Sequence, residues 1–235
     1  TLIEGNAFHE TAGIPISVDT KAGFEVPPGG YLVAPPPGQA HSVDDRIREN
    51  RIEDFGKEYL ASPAIMAGYP SGMQVENNQI RKGHASGILL GWYPGLPNPT
   101  SLGRTRIIGN RISEVLGILN DGGGIITTGH QSSGDTYEGG LEVRRNYLYD
   151  LRRYSLDVPP DAYRVSAGIY YDWGSEYIQT TGNISVRPDG DVSQTSSIFV
   201  NDDSKQPPEM RPCDNCIWSE GGATVRPGDN VDDPS

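Results

Sequence analysis

Cysteine is nearly absent from this sequence, cations are few and long apolar runs are missing. Cys213 and Cys216, in Cys-Asp-Asn-Cys, are the two thiols among 235 residues. A zinc site would need two further ligands close by, so the pair reads as a local disulfide or two idle thiols. Lysine and arginine number 19 against 31 acidic residues, giving a net charge of −12. Phosphate backbones and anionic lipid both demand a positive patch, so neither nucleic acid nor a membrane surface is an expected partner. No apolar run approaches the roughly 18 to 20 residues that cross a bilayer as a helix. The chain opens at Thr1 with neither Met nor a basic-then-apolar leader. It is expected to be a processed or excised piece whose address signal cannot be read.

Glycine (30) and proline (19) are abundant, while hydrophobic residues make up only 35%. Gly, Asn and Asp clusters punctuate short runs containing Ile, Val, Tyr and Leu, a pattern of many strands and many turns. An internal repeat organises them. Asn followed two residues later by an apolar residue recurs at Asn6/Phe8, Asn50/Ile52, Asn78/Ile80, Asn110/Ile112, Asn146/Leu148 and Asn215/Ile217, with a poorer copy at Asn183. The spacing is that of a solenoid with insertions. A small residue and Ile open a second run in each repeat: Gly13-Ile14, Ala64-Ile65, Gly87-Ile88, Gly124-Ile125, Gly168-Ile169 and Ser197-Ile198. A third run precedes most of the Asn residues, as in Gly72–Glu76, Thr105–Ile108 and Leu141–Val143.

Three short strands per repeat describe an all-β parallel β-helix of about seven coils, in which a coil buries its apolar side chains only by stacking on the next. The repeated Asn is expected inside a corner, bonded to backbone and to the Asn of neighbouring coils, supporting left-handed corner residues. Residues 1–219 are read as one domain. Residues 21–39 form a Pro/Gly-rich excursion, 152–165 widen one coil, and 220–235 are a polar tail or cap. An amphipathic helix competes for residues 49–69, where Ile52, Phe55 and Tyr59 have helical spacing. Gly56 and Pro63 break it, so a strand and a corner with at most one helical turn are expected. Asn183-Ile184-Ser185 is a glycosylation sequon too short to fix a compartment.

With Ile65, Ile88, Ile125, Ile169 and Ile198 stacked at about 4.8 Å per coil, four residues further on fall Tyr69, Trp92, Gly129, Trp173 and Asp202. Aromatic faces beside open Gly backbone suit a sugar ring, whose hydroxyls would meet Asp, Asn and His; a structural aromatic ladder is the alternative. Asp172 is placed about 5 to 6 Å from Asp202 by this register, within the range of paired glycosidase carboxylates. Asp121 falls at the opposite end of its strand, stacked near His84 and about 23 Å from Asp172 if the chain is extended. These two can cooperate only if the Asn120–Gly123 corner bends back over the face. Asp121 is otherwise an Asx turn opening a Gly-rich corner. His130 is expected just past the strand, on the aromatic end.

The blocks NRIEDFGKEYLASPAIMAGY, VENNQIRKGHASGILLGW, IIGNRISEVLGILNDGGGIITTGHQ, RRNYLYD and GIYYDWGS together resemble the right-handed parallel β-helix proteins grouped around glycoside hydrolase family 141. The resemblance runs from about Asp44 to Asn183, with NDGGGI and GIYYDWGS its most telling parts. It implies a secreted or cell-envelope carbohydrate-active enzyme, acting on α-L-fucosides or xylan by an inverting mechanism with two carboxylates. It makes Asp121 and Asp172 the acid and base candidates, with Tyr69, Trp92 and His130 on lining positions; His84, Trp173 and Asp202 complete the expected binding set. Members of the family are longer, so the chain resembles the C-terminal part of such an enzyme or a pared-down relative.

Two other readings stay open: a non-catalytic glycan-binding, adhesin or filament module, and a polysaccharide lyase. The acidic charge favours neutral glycans over polyuronates, for which Arg or Lys beside the substrate would be wanted. No cofactor and no catalytic metal are expected. A structural Ca²⁺ near Asp189-Gly190-Asp191 is open, as is self-association through the β-helix ends.

Overall fold

The short apolar runs fold as strands of three to six residues, each stacked in parallel on its counterpart one repeat away. This computed structural model describes residues 1–19, 37–40, 42–91, 100–119, 121–134, 136–151, 166–172, 174–186, 195–200, 217–220 and 225–227. Among the described residues, three sheets of seven, six and seven strands are visited in turn by the first six coils, and the last coil contributes to the first and third. The first runs from Leu2–Glu4 through Gln74–Glu76 and Arg106–Ile108 to Ile217–Glu220. The second runs from Ala7–His9 through Arg51–Phe55, Gln79–Gly83, Arg111–Ser113 and Tyr147–Tyr149 to Ile184–Val186. The third includes Ile65–Ala67, Ile88–Leu90, Gly122–Thr127, Ser166–Tyr171 and Thr195–Val200. The protein is a parallel β-helix. Among the described residues the sole helical element is a 3₁₀ turn at Tyr137–Gly139, and no helix is long and apolar enough to cross a membrane.

Each sheet sends a column of side chains inward, and the third sheet adds a second with Val18, Ala67, Leu90 and Tyr171. Ile47, Val75, Ile107 and Val143 stack from the first sheet, and Ile52, Ile80, Ile112 and Leu148 from the second. Ile16, Ile65, Ile88, Ile125, Ile169 and Ile198 stack from the third. All belong to one buried core. Burying one such side chain is worth about 1.5 to 3 kcal/mol. About four per coil cannot offset the ordering of some thirty residues without the coils above and below.

The asparagine ladder forms as the repeat predicts. The Asn50 side-chain oxygen accepts from the backbone and side-chain nitrogens of Asn6, each at 3.0 Å. The same pair of bonds continues from Asn50 to Asn78, Asn78 to Asn110, Asn110 to Asn146 and Asn146 to Asn183. From Asn50 onward each amide also donates to a carbonyl of the first sheet in the preceding coil, as Asn110 does to Val75 at 2.9 Å. The residue before each Asn is left-handed, including Glu49 (φ 57), Asn77 (φ 54) and Arg145 (φ 55). The ladder compensates the cost of that conformation at these non-glycine positions.

Two register assignments differ from the sequence reading. Ile16, not Ile14, pairs with Ile65: the chain takes ten residues from Asn6 to Ile16, as it does from Asn78 to Ile88, so Gly13-Ile14 falls two residues early. Ile217 pairs with Ile178 in the first sheet, so Asn215/Ile217 is not a seventh copy of the ladder step. Residues 51–67 form a strand, a corner and a strand, without a helix. The 21–36 part of the Pro/Gly-rich excursion, residues 152–165, Cys213, Cys216 and Asp189–Asp191 lie outside the described residues, as does most of the 220–235 tail.

Candidate functional site

The Gly-Ile step that opens each third-sheet strand shapes the surface around Asp121. A methyl group on Gly124 would sit 2.9 Å from Leu148 Cδ2 and 3.0 Å from the Gly168 carbonyl, so this position faces the core as Ile125 does. Two consecutive residues facing inward break the alternation of a strand, and the chain bends there. On the other side of the bend, a methyl on Gly123 would lie 3.2 Å from Tyr170 Cβ, so the turn presses onto the outer face of the sheet. Asp121 sits at the start of that turn in the left-handed region, with φ 69. Gly123 N, just beyond it, donates to Ser86 Oγ at 3.3 Å.

This bend brings Asp121 over the face that the extended-chain estimate would have kept it from. The Tyr170 hydroxyl donates to Asp121 Oδ1 at 3.2 Å. Tyr170 stands between two inward residues, Ile169 and Tyr171, and packs outside with Ile126 and Ala167. The Asp121 pKa is pushed up from 3.8 to about 6, by desolvation first and by the negative charge of Asp172 second; the Tyr170 hydrogen bond opposes both. The residue as a whole keeps exposed surface, while its carboxyl is held beside the Tyr170 ring. The two acidic blocks of the sequence therefore meet electrostatically on the outer face of the third sheet.

Asp172 follows the Ser166–Tyr171 strand and is half-buried. Its amide donates to the Thr127 carbonyl at 2.9 Å, and its carbonyl accepts from Ser175 N at 3.0 Å. The Ser175 hydroxyl, in turn, lies 2.8 Å from the Thr127 hydroxyl and 2.9 Å from the Thr127 carbonyl. Asp172 is thus anchored to the neighbouring coil at the backbone on both sides. A carboxylic acid with a pKa near 6 beside a second carboxylate can give a proton while its neighbour takes one.

The expected lining residues fall differently. Tyr69 is 1% exposed and belongs to the core, and its carbonyl accepts from Ser101 Oγ at 2.7 Å. It is a structural aromatic, because the chain turns inward one residue beyond Gly68. His130 is also buried rather than at the surface. Its Nδ1 lies 2.8 Å from the Ser132 carbonyl, its Nε2 3.6 Å from Glu176 Oε2, and its ring 4.9 Å from that of Tyr177. It bridges the 129–133 turn to the next coil. His84 is half-buried, and its carbonyl accepts from Leu119 N at 2.9 Å, which places it beside the segment leading into Asp121. Trp92, Trp173 and Asp202 lie outside the described residues.

Tyr170 was not singled out from the sequence. The Tyr-Tyr pair carries the signal: in an alternating strand, two adjacent aromatics cannot both face the core. Elsewhere, His9, Glu53 and Asp54 place one ligand atom each within 4.8 Å of one another. Glu53 is already engaged by Arg51, Arg81 and Lys82, which disfavours a cation there.

A scan against protein-family models and a search of curated proteins both find no match. Among solved structures, the chain is similar to one named "Glycoside hydrolase", with a TM-score of 0.65 and 19% sequence identity. The likeness covers 99% of this chain and 33% of the other; the chain therefore spans about a third of that protein's length. At this identity what is shared is the fold.

Proposed function

We propose that the protein is a carbohydrate-active β-helix enzyme that hydrolyses glycosidic bonds, with Asp121 as general acid and Asp172 as general base. The observation that carries the reading is the Asp121 carboxyl, raised to about 6 by desolvation and by Asp172. A carboxyl raised in this way keeps its proton at mildly acidic pH, and so can protonate a leaving oxygen while the ionised partner activates water. The likeness to a structure named a glycoside hydrolase supports the same class.

On this reading the stereochemical course is inversion, for which carboxyls about 6.5 to 9.5 Å apart leave room for a water. The substrate is a neutral glycan of the α-L-fucoside or xylan kind, and the protein works outside the cell or in its envelope. Proton NMR of the first sugar released from a defined fucoside or xylo-oligosaccharide tests both points. The expected product has the opposite anomeric configuration. Retention would overturn the inverting pair, and a 4,5-unsaturated product would indicate a lyase. Binding without turnover by the full-length protein would indicate a glycan-binding module.

A further inference from the structure

The outer face of the second sheet gathers Arg51, Arg81, Lys82 and Arg111 on adjoining coils. Register sets Arg51, Gln79, Arg111 and Tyr147 in one column, and Glu53, Arg81, Ser113 and Tyr149 in the next. Between them runs a groove of about 290 Å³ lined by Arg51, Gln79, Arg81, Arg111, Ser113 and Tyr149. Two of the lining arginines are held by the buried Glu53 carboxylate, which accepts from Arg51 at 2.8 Å and from Arg81, with Lys82 Nζ at 3.2 Å. Burial raises the Glu53 pKa, but the hydrogen bonds from Arg81, Arg51 and Lys82 override it and hold the group down to about 2. One carboxylate thus fixes three cations. Arg111 adds a fourth: its Nε donates to Tyr149 Oη at 3.1 Å, and its guanidinium lies 5.1 Å from the Tyr149 ring centre and 5.9 Å from that of Tyr147. Glu114 acts on the Tyr149 end of the groove and Asp54 lies beside Glu53, so four cations face three acids.

We infer that this groove binds a short anionic segment of a polysaccharide, its carboxylate or sulfate groups held by Arg111, Arg51 and Arg81. A guanidinium fork matches the planar oxygens of either group, and a site held by three arginines discriminates by charge. The Tyr147 and Tyr149 rings, stacked 4.8 Å apart, offer faces for the C–H side of a sugar. Arg51, Arg81 and Arg111 come from three successive coils about 4.8 Å apart, so a chain lying along the helix axis meets one guanidinium per coil. A long polyphosphate is excluded by the net charge of −12 around so small a patch. The groove lies on a different sheet from Asp121 and Asp172, and its occupancy does not depend on their role.

Calorimetric titration of the full chain with trigalacturonate, a carrageenan tetrasaccharide and neutral maltotetraose tests the inference. At least one anionic ligand should bind about tenfold or more tighter than the neutral one, the tighter naming the anion. Arg111→Gln and Arg51→Gln should each weaken it about tenfold, Arg111→Lys less, and Asp121→Asn not at all. Arg111 is exposed, and an unchanged circular dichroism spectrum for its variants separates lost binding from lost fold. Equal affinity for charged and neutral ligands, no binding of either anion, or full affinity in folded Arg111→Gln would overturn it. So would loss of binding in Asp121→Asn, which would move the site to the third sheet.

Discussion

The Tyr170 hydroxyl donates to Asp121 Oδ1 at 3.2 Å, across a turn that bends at Gly124 onto the outer face of the third sheet. A donor to a carboxylate favours its charged form. Tyr170→Phe should therefore lift the Asp121 pKa above its already raised value of about 6, read by NMR titration of the side-chain carboxyl carbon. A fall, or no change, would show that the bond does not act on this carboxyl.

Asp121 also ties stability to pH. Its ordinary value is 3.8 and its folded value about 6, so across that window the folded chain holds more protons than the unfolded one. Stability from this group is then full below 3.8 and is lost as pH rises through 6. Asp121→Asn should gain melting temperature over the wild type at pH 7 and little at pH 4. The gain is small, since the residue keeps exposed surface and water screens its charge. A difference independent of pH would contradict the assignment.

Removing a rung from the middle of the asparagine ladder should cost far more than trimming its end. Asn110→Ala deprives Asn78 of an acceptor, and Val75 and Asn146 of a donor, all buried. Each orphaned group costs about 1 to 3 kcal/mol, so a loss of about 3 kcal/mol or more is expected in urea denaturation. Asn183→Ala, half-buried at the last described rung, should lose clearly less. Equal losses would mean that the ladder is not cooperative.

Gly124 connects scaffold and site. A methyl there meets Leu148 and the Gly168 carbonyl, and overpacking of this kind costs about 1 to 3 kcal/mol. Gly124→Ala should lower the melting temperature and also return the Asp121 pKa toward 3.8 as the turn lifts off Tyr170. Gly134→Ala, whose methyl meets nothing within 4 Å, serves as the control. A destabilised Gly124→Ala with an unmoved Asp121 would separate the two.

The stacking of the coils was legible because each needs the same residues: Ile88, Ile125 and Ile169 in the core, and Asn78, Asn110 and Asn146 at a corner. Repetition makes such positions visible in one sequence. Where the motif recurs out of register the period misleads, as at Ile14 against Ile16 and at Ile217. Site geometry was less legible, because a bend replaces the regular strand rise on which offsets rely. Counting along an extended chain placed Asp121 far from Asp172, and the same counting put Tyr69 and His130 on the surface. Tyr69 instead enters the core, and His130 is drawn in by Ser132 and Glu176.

The most direct measurement is the pH dependence of kcat/KM for hydrolysis of a defined glycoside, in wild type and in Asp121→Asn side by side. The wild-type rate should fall as pH rises through about 6, where Asp121 loses its proton. Asp121→Asn should lose about 10²-fold or more in rate, as expected for removal of a general acid, and the limb with it. Turnover in Asp121→Asn at the wild-type rate, with the same limb near pH 6, would contradict the account.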